Sequence, residues 1–396
     1  MLRYAVSLAA MAAVTMGCAP VMASEPWDDE AVYQRRFEEN RGAPREGYDT
    51  LEPVAGVQGR LPVRARPTIP TASLDAAEAY AASHNSQAFL VWRDGQLERA
   101  TYFGDADAET KIISRSMAKP LSSLAIGRAI EMGKIASLDQ KVSDFIYEWK
   151  DTKRGEILVR HLLDMSAGLL AQSQSSEPSN IWSRTYLHPR HDEIIIAEYP
   201  LTHAPGTSYN YNNATADLVA VVIERATGVR YGDFVSQEVL KPIGAMGGDI
   251  WVNRPGGTAH SGCCILLPAE SWMRMAVLLM QDGVWEGRRL LPDGYVQEMR
   301  TPTKANPYYG LGVWVAGEYT QRRGFAGPNV PGGVLHSQPY KADDVSLFDG
   351  NSNQVVYMIP SQNLVVLRMG HAPQRNPEWD NSILPNLILD GIASSQ

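Results

Sequence analysis

The sequence predicts an α+β fold in which one central antiparallel sheet, assembled from both ends of the chain, carries flanking helices and an inserted, mostly helical lobe. Three observations predict it. A β-hairpin pattern lies near the start, short β-rich runs return beyond about residue 308, and the stretch between them reads as helix and loop. With 396 residues and 44% hydrophobic content, the chain can bury a core large enough for two lobes.

Residues 1–23 read as an export signal. Met1-Leu-Arg3 gives a short positive start, Tyr4 to Met16 is small and apolar, and Val21-Met-Ala23 places small residues before a cut at Ala23/Ser24. A lipoprotein signal is the alternative, with Thr15-Met-Gly-Cys18 as a degenerate form and Cys18 as a lipid anchor. The apolar stretch is too short to span a bilayer comfortably, and no other segment approaches the required length, so no membrane span is expected. Residues 24–72 are rich in Pro, Gly, Arg and Glu and read as an extended N-terminal arm without its own core.

Ala76 to Ser83 reads as a helix. Ala88 to Arg93 and Gln96 to Phe103 read as two strands joined by an Asp94-Gly95 turn. The run Lys119 to Lys134 then reads as a helix buried on most sides, because Leu121, Leu124, Ala125, Ile130 and Met132 cover more than one face. Pro120 suits its first turn, where amide hydrogens lack partners anyway, and Gly133 marks its stop. Gly155 to about Leu240 is mostly helix and loop, with Ala214 to Ala226 as its clearest helix, ended by Gly228. Ala269 to Gln281 and Ile383 to Ile392 are further helices. Gly312 to Ala316, Val345 to Phe348, Gln354 to Ile359 and Leu364 to Arg368 are strands, the last two turned by Pro360 to Asn363. The expected domains are 73–155 with 256–396 for the sheet and 156–255 for the helices.

A formal net charge of −8, with 36 basic against 44 acidic residues and no long basic run, argues against nucleic acid as a partner. Cys263 and Cys264 are adjacent, and neighbouring cysteines rarely bridge because the sulfur geometry strains the backbone between them. They are read as buried small apolar residues. Ser116 and Lys119 stand one helical turn apart, so hydroxyl and amine can share a hydrogen bond. A serine is a poor nucleophile until such a group takes its proton. At the head of a buried helix, unpaired amides and the positive dipole end favour the negative charge that acyl chemistry develops.

Ser116-Met-Ala-Lys119-Pro is followed in order by Glu131-Met-Gly-Lys-Ile135, Ser137-Leu-Asp139, Val142-Ser-Asp-Phe145, Arg160-His-Leu-Leu-Asp-Met-Ser-Ala-Gly-Leu169 and Pro205-Gly-Thr-Ser-Tyr-Asn-Tyr-Asn-Asn213. From about Ser73 onward the series resembles the serine β-lactamase-like hydrolases, related to class C β-lactamases, family VIII esterases, D,D-peptidases and 6-aminohexanoate-dimer hydrolase. The resemblance implies the β-lactamase/transpeptidase-like fold, with Ser116 as nucleophile and Lys119 and Tyr211 managing the proton, either of them being the base. Asn213 completes the Tyr-x-Asn motif, where it can bond toward Lys119 and a substrate carbonyl.

The third motif departs from the family. Class C β-lactamases carry Lys-Thr-Gly on an edge strand. The corresponding stretch here reads as Asp349 to Gln354, with Asn351 where the lysine stands, Asn353 in place of a glycine, and Gln354 giving the second amide of an oxyanion hole. Loss of that cation disfavours β-lactam hydrolysis and leaves a small-molecule ester or amide as the expected substrate. A class C-type β-lactamase, a D,D-carboxypeptidase and a non-catalytic binding or sensor protein are the alternatives. Neither a metal nor an organic cofactor is expected. His188-Pro-Arg-His191 has a metal-like spacing without a carboxylate at useful distance in sequence, and His161 reads as structural. Asp139 and Asp164 read as helix caps, and Trp182, Tyr186 and His188 as a loop that could line the cleft.

Overall fold

The computed structural model describes residues 27–40, 48–173, 175–328, 330 and 332–395; the expected export signal and Cys18 lie outside them. Its strands are β1 (Leu51–Val54), β2 (Ser86–Arg93), β3 (Gln96–Tyr102), β4 (Ile112–Ile113), β5 (Gly248–Trp251), β6 (Ile265–Leu267), β7 (Val284–Trp285), β8 (Arg288–Arg289), β9 (Trp314–Val315), β10 (Arg322–Arg323), β11 (Val334–Leu335), β12 (Ser346–Gly350), β13 (Gln354–Ile359) and β14 (Leu364–Gly370). Its α-helices are α1 (Asp29–Glu39), α2 (Thr71–Ala82), α3 (Ala118–Glu131), α4 (Val159–Leu163), α5 (Ile181–Leu187), α6 (His191–Glu198), α7 (Asn213–Thr227), α8 (Tyr231–Val235), α9 (Ala269–Met280), α10 (Tyr295–Met299) and α11 (Ile383–Ser394).

The main sheet runs β3-β2-β14-β13-β12-β9, antiparallel throughout. The N-terminal hairpin joins the C-terminal strands where Leu90 pairs with Leu367, so both chain ends build one sheet as expected. Side chains alternate across it. Leu90, Val356, Met358, Val365 and Leu367 join the core that contains α3 and α9, whereas Phe89, Val91, Val355, Tyr357 and Val366 pack with residues of α2 and α11. The strand expected over Gly312 to Ala316 shortens to β9.

In the helical lobe, α7 is buried along most of its length, from Ala214 to Ile223, and packs on α3. It ends at Gly228, whose φ of 73° is the left-handed geometry glycine adopts at little cost. Trp182 and Tyr186 belong to α5 rather than to a loop, and stack at 5.7 Å one helical turn apart.

Two expectations are corrected by a second sheet, β1-β5-β6-β4. Ile250 on β5 pairs with Ile265 on β6, so the domain boundary placed between residues 255 and 256 cuts through one sheet. The arm is also more structured than expected. Asp28 caps α1 by accepting from the Glu30 and Ala31 amides, Tyr33, Arg36 and Phe37 are buried, and β1 pairs with β5. Two aromatics one turn apart give only a weak helical period, and a four-residue strand whose partner lies far along the chain leaves almost no local signal. A third correction concerns Cys263 and Cys264, which form a disulfide with each other. They are buried as expected, but Cys264 takes a φ of 72°, a left-handed turn that the expectation did not consider. No helix among the described residues is long and apolar enough to cross a membrane.

Candidate active site

Ser116 sits in a single 3-10 turn, Arg115–Met117, wedged between β4 and α3. Arg115 has a φ of 52°, uncommon for a residue with a side chain, and it aims the following serine out of the strand path. Lys119, the second residue of α3 and one turn after Ser116, is 3% exposed. Its Nζ lies 3.3 Å from Ser116 Oγ, 2.8 Å from Asn213 Oδ1 and 2.9 Å from the Gly262 carbonyl. Three oxygens thus face the three donors of an ammonium, which lets the side chain be buried without an orphaned N–H.

The N-terminus of α7 brings in the next two groups. Asn212 caps the helix, accepting from the Thr215 amide at 2.6 Å, so Asn213 is its first residue and Tyr211 precedes the cap. The Tyr211 ring lies 4.6 Å beneath Lys119 Nζ and packs against Tyr309 and Trp314. Gln172 braces both residues, its amide donating to the Tyr211 carbonyl at 3.1 Å and its Oε1 accepting from the Asn213 amide at 3.2 Å. Gln172 has no sequence signal of its own, because it lies on a loop and meets only the main chain of its partners.

The third segment is placed differently from expectation. A Cβ added to Gly350 would lie 2.7 Å from the Ser114 carbonyl oxygen and 3.1 Å from the Ser116 amide, so it is Gly350 that approaches the nucleophile turn. Gln354 pairs across the ladder with Gly350, one strand further from Ser116. Its side chain is fully buried and ties β13 to β14, accepting from the Gly370 amide at 2.9 Å and donating to the Ser352 carbonyl at 3.2 Å. Asn351 is exposed, and Asn353 lies in the tight turn after it with a φ of 55°. The turn closes at the Gly350–Gln354 pair, so the strand end on the nucleophile side is the one before the asparagines. Beside it Asp349 forms a buried ion pair with Arg323, whose guanidinium also lies 4.4 Å over the Trp314 ring. Burial raises the Asp349 carboxyl above its ordinary value, and Arg323 opposes that shift.

Behind Lys119 lies a group that sequence reading left unassembled. Asp217 is four residues after Asn213 on α7, hence on the same helix face. Its Oδ1 accepts from the Gly262 amide at 2.8 Å and its Oδ2 lies 3.0 Å from His260 Nδ1 and 3.8 Å from His191 Nε2. His191 therefore does meet a carboxylate, supplied from another helix. Burial pushes Asp217 up to about 6, and burial with the charge of His260 pushes His191 down to about 3. These three side chains bring metal-ligand types within 4.8 Å of one another. The two imidazoles, however, stack face to face, with centroids 4.0 Å apart and planes at 17°, and Trp251 stacks on His260 at 3.9 Å. Lone pairs of stacked rings run side by side rather than converging on one ion, so the arrangement suits hydrogen bonding better than coordination.

The remaining polar residues are structural. His161 Nδ1 accepts from the Leu158 amide at 3.1 Å. Asp164 is the C-cap of α4, its amide donating to the Arg160 carbonyl and its side chain accepting from the Ser166 amide at 2.9 Å, while Asp139 pairs with Arg160 at 2.5 Å.

A serine and lysine heading a buried helix, set against an antiparallel sheet built from both chain ends, define the β-lactamase/transpeptidase-like fold. The beta-lactamase family model matches residues 75–382, and the chain belongs to that family. It is 25% identical over 367 residues to the 6-aminohexanoate-dimer hydrolase of Paenarthrobacter ureafaciens, covering 86% of this chain and 88% of that one. It is 29% identical over 175 residues to esterase EstB of Burkholderia gladioli, covering 39% of this chain and 44% of the esterase. Among solved structures it is similar to EstCE1, a hydrolase with promiscuous acyltransferase activity, with a TM-score of 0.62, 18% identity, and 81% and 98% of the two chains covered. The protein is a hydrolase of the β-lactamase fold.

Proposed function

We propose that the protein is an exported serine hydrolase that cleaves an ester or small amide through an acyl-enzyme on Ser116. The observation that carries this reading is the position of Lys119 Nζ, 3.3 Å from Ser116 Oγ and fixed by Asn213 and Gly262. Once Nζ has lost one proton it can accept the seryl proton, with Tyr211 beside it as the other group able to carry it. Ser116 Oγ then bonds the carbonyl carbon, the C–O or C–N bond breaks, and the leaving group departs with the proton. Water cleaves the acyl-serine and restores the hydroxyl. The developing oxyanion is held by the Ser116 amide and by main chain at Gly350–Asn351, where the strand end meets that turn.

Substrate class follows from the same strand end. With Gly350 taken as the glycine of the family's third motif, the lysine position falls on Phe348, which is fully buried. The guanidinium of Arg323 beside this strand end is paired with Asp349. An anchor for a β-lactam or stem-peptide carboxylate is thus missing from this position, which favours uncharged esters and amides; the hydrolase and esterase relatives support the same reading. Export is supported by the pattern of residues 1–23 and by the Cys263–Cys264 disulfide, which an oxidising compartment sustains.

The test is turnover of p-nitrophenyl esters of graded chain length beside nitrocefin and a linear amide. Ester or amide hydrolysis that Ser116→Ala abolishes is the expected result. Faster nitrocefin turnover would assign a β-lactamase instead, and saturable binding without turnover would assign a sensor.

A further inference from the structure

Lys119 is held at its second oxygen by a segment that is itself tightly clamped. Residues 260–262 bridge α3 and α7. Ser261 Oγ donates to the Ala216 carbonyl at 2.8 Å and accepts from the Ala220 amide at 3.1 Å, while the Ser261 carbonyl accepts from Ser122 Oγ at 2.7 Å. Gly262 fits only without a side chain, since an added Cβ would lie 2.6 Å from the Ala216 Cβ. Its amide is bound by Asp217 and its carbonyl accepts from Lys119. One face of α7 therefore holds the amine twice: directly through Asn213, and one turn later through Asp217 and the Gly262 main chain.

Asp217 is 1% exposed, and an ionisable carboxyl in such a place is costly unless its charge is met. A neutral residue of similar size could pack there, so the carboxylate calls for a role. It is faced by Lys119 from α3, His191 and Asp192 from α6, and Tyr231 from α8, with His260 at 3.0 Å from the clamped segment. The two ring nitrogens of His191 make no hydrogen bond among the described residues, although the ring is fully buried and its Nε2 is 3.8 Å from the carboxylate. Its contribution is packing, through the stack with His260, on which Trp251 also lies.

We propose that Asp217 is a positioning residue for Lys119, acting through Gly262, with His260 and His191 holding its carboxylate in place. The inference rests on the serine hydrolase reading. Asp217 fixes the peptide whose carbonyl aims Nζ at Ser116. The burial that raises the Asp217 carboxyl to about 6 places its own titration in the range where the acid limb of such an enzyme is measured.

The experiment compares wild type, Asp217→Ala, Asp217→Asn and Ser116→Ala by ester hydrolysis from pH 5 to 9, with melting curves in parallel. Asp217→Ala is expected to lower kcat about tenfold or more, with KM within about twofold, because the amine is misaimed while the substrate pocket is untouched. Asp217→Asn keeps an oxygen for the Gly262 amide but carries no charge. It should retain kcat within about threefold at pH 8 and move the acid limb of kcat/KM by about one pH unit toward lower pH. A purely structural residue would change the melting curve and leave the profile where it is; that result overturns the inference. Should Asp217→Ala fail to fold, the profile of the asparagine variant decides alone. Turnover that survives Ser116→Ala, or no turnover by wild type, overturns the hydrolase reading and the inference with it. Ser116-dependent turnover with unchanged Asp217 variants overturns the inference only.

Discussion

The two halves of the site are built in different ways. On the α3/α7 side the proposed chemistry falls to side chains: Ser116 and Lys119 one turn apart, Asn213 2.8 Å from the same amine, and Tyr211 beneath it. On the β12 side the proposed role falls to main chain at Gly350, and the polar side chains nearby are turned outward or committed to the sheet. The contrast teaches that a side-chain half should fail when a functional group is removed. A main-chain half should fail only when the strand is pushed away.

The largest expected effect is on the first half. Lys119→Ala removes the group proposed to take the seryl proton and should lower kcat for ester hydrolysis by about a thousandfold, measured beside a melting curve that shows the protein folded. Gly350→Ala attacks the other half without removing any functional group. Its methyl would press on the Ser114 carbonyl at 2.7 Å and the Ser116 amide at 3.1 Å, and one displaced oxyanion donor is worth about a hundredfold in kcat. Gln354→Ala and Asn351→Ala sharpen the comparison further. The first leaves the Gly370 amide without its side-chain acceptor inside the sheet, so it should cost about 1–3 kcal/mol in denaturant unfolding while kcat stays within about fivefold. The second removes an exposed side chain, and kcat/KM should stay within about twofold. A large loss of activity from Asn351→Ala would restore the site role expected for that residue from sequence, and one from Gln354→Ala would show that the sheet it braces governs the site.

Sequence legibility follows the same division. The helix behind Ser116, the helix after Tyr211 and the sheet joining both chain ends were readable, since helical spacing and strand period are local properties, whereas Tyr211 and Asn213 came from the resemblance and their cap at Asn212 was not read. Where β12 turns into β13 was not. Polar residues in the loop suggested a site, whereas the register that sets Gly350 opposite Gln354 depends on pairing that no single segment encodes. Asp217, His260 and Gly262 were missed for a related reason. They converge from α7 and a distant loop, and only the i,i+4 spacing from Asn213 hinted at one shared face. The N-terminal arm hid its helix and strand because each depends on distant partners for burial.

The buried network also sets a pH limit on stability. His191 is held neutral in the fold, down to about 3, so its contribution is full above the ordinary value of 6.5 and is lost as pH falls toward 3. Asp217, raised to about 6, acts oppositely: its contribution is full below the ordinary carboxylate value of 3.8 and is lost as pH rises through 6. The histidine shift is the larger. The two slopes offset one another between about pH 6 and 3.8, so melting temperature should change little across that window and fall below it, while His191→Asn, which leaves the carboxyl alone, should make it rise as pH falls from 6 to 4; an unchanged profile in the variant would assign the acid sensitivity elsewhere.

The central claim, an activated hydroxyl at Ser116, is tested most directly by intact-mass analysis after exposure to a fluorophosphonate. The account predicts one adduct on the wild-type chain, mapped to Ser116 by peptide sequencing, and none on Ser116→Ala. Equal labelling of both proteins, or an adduct on another residue, would contradict it.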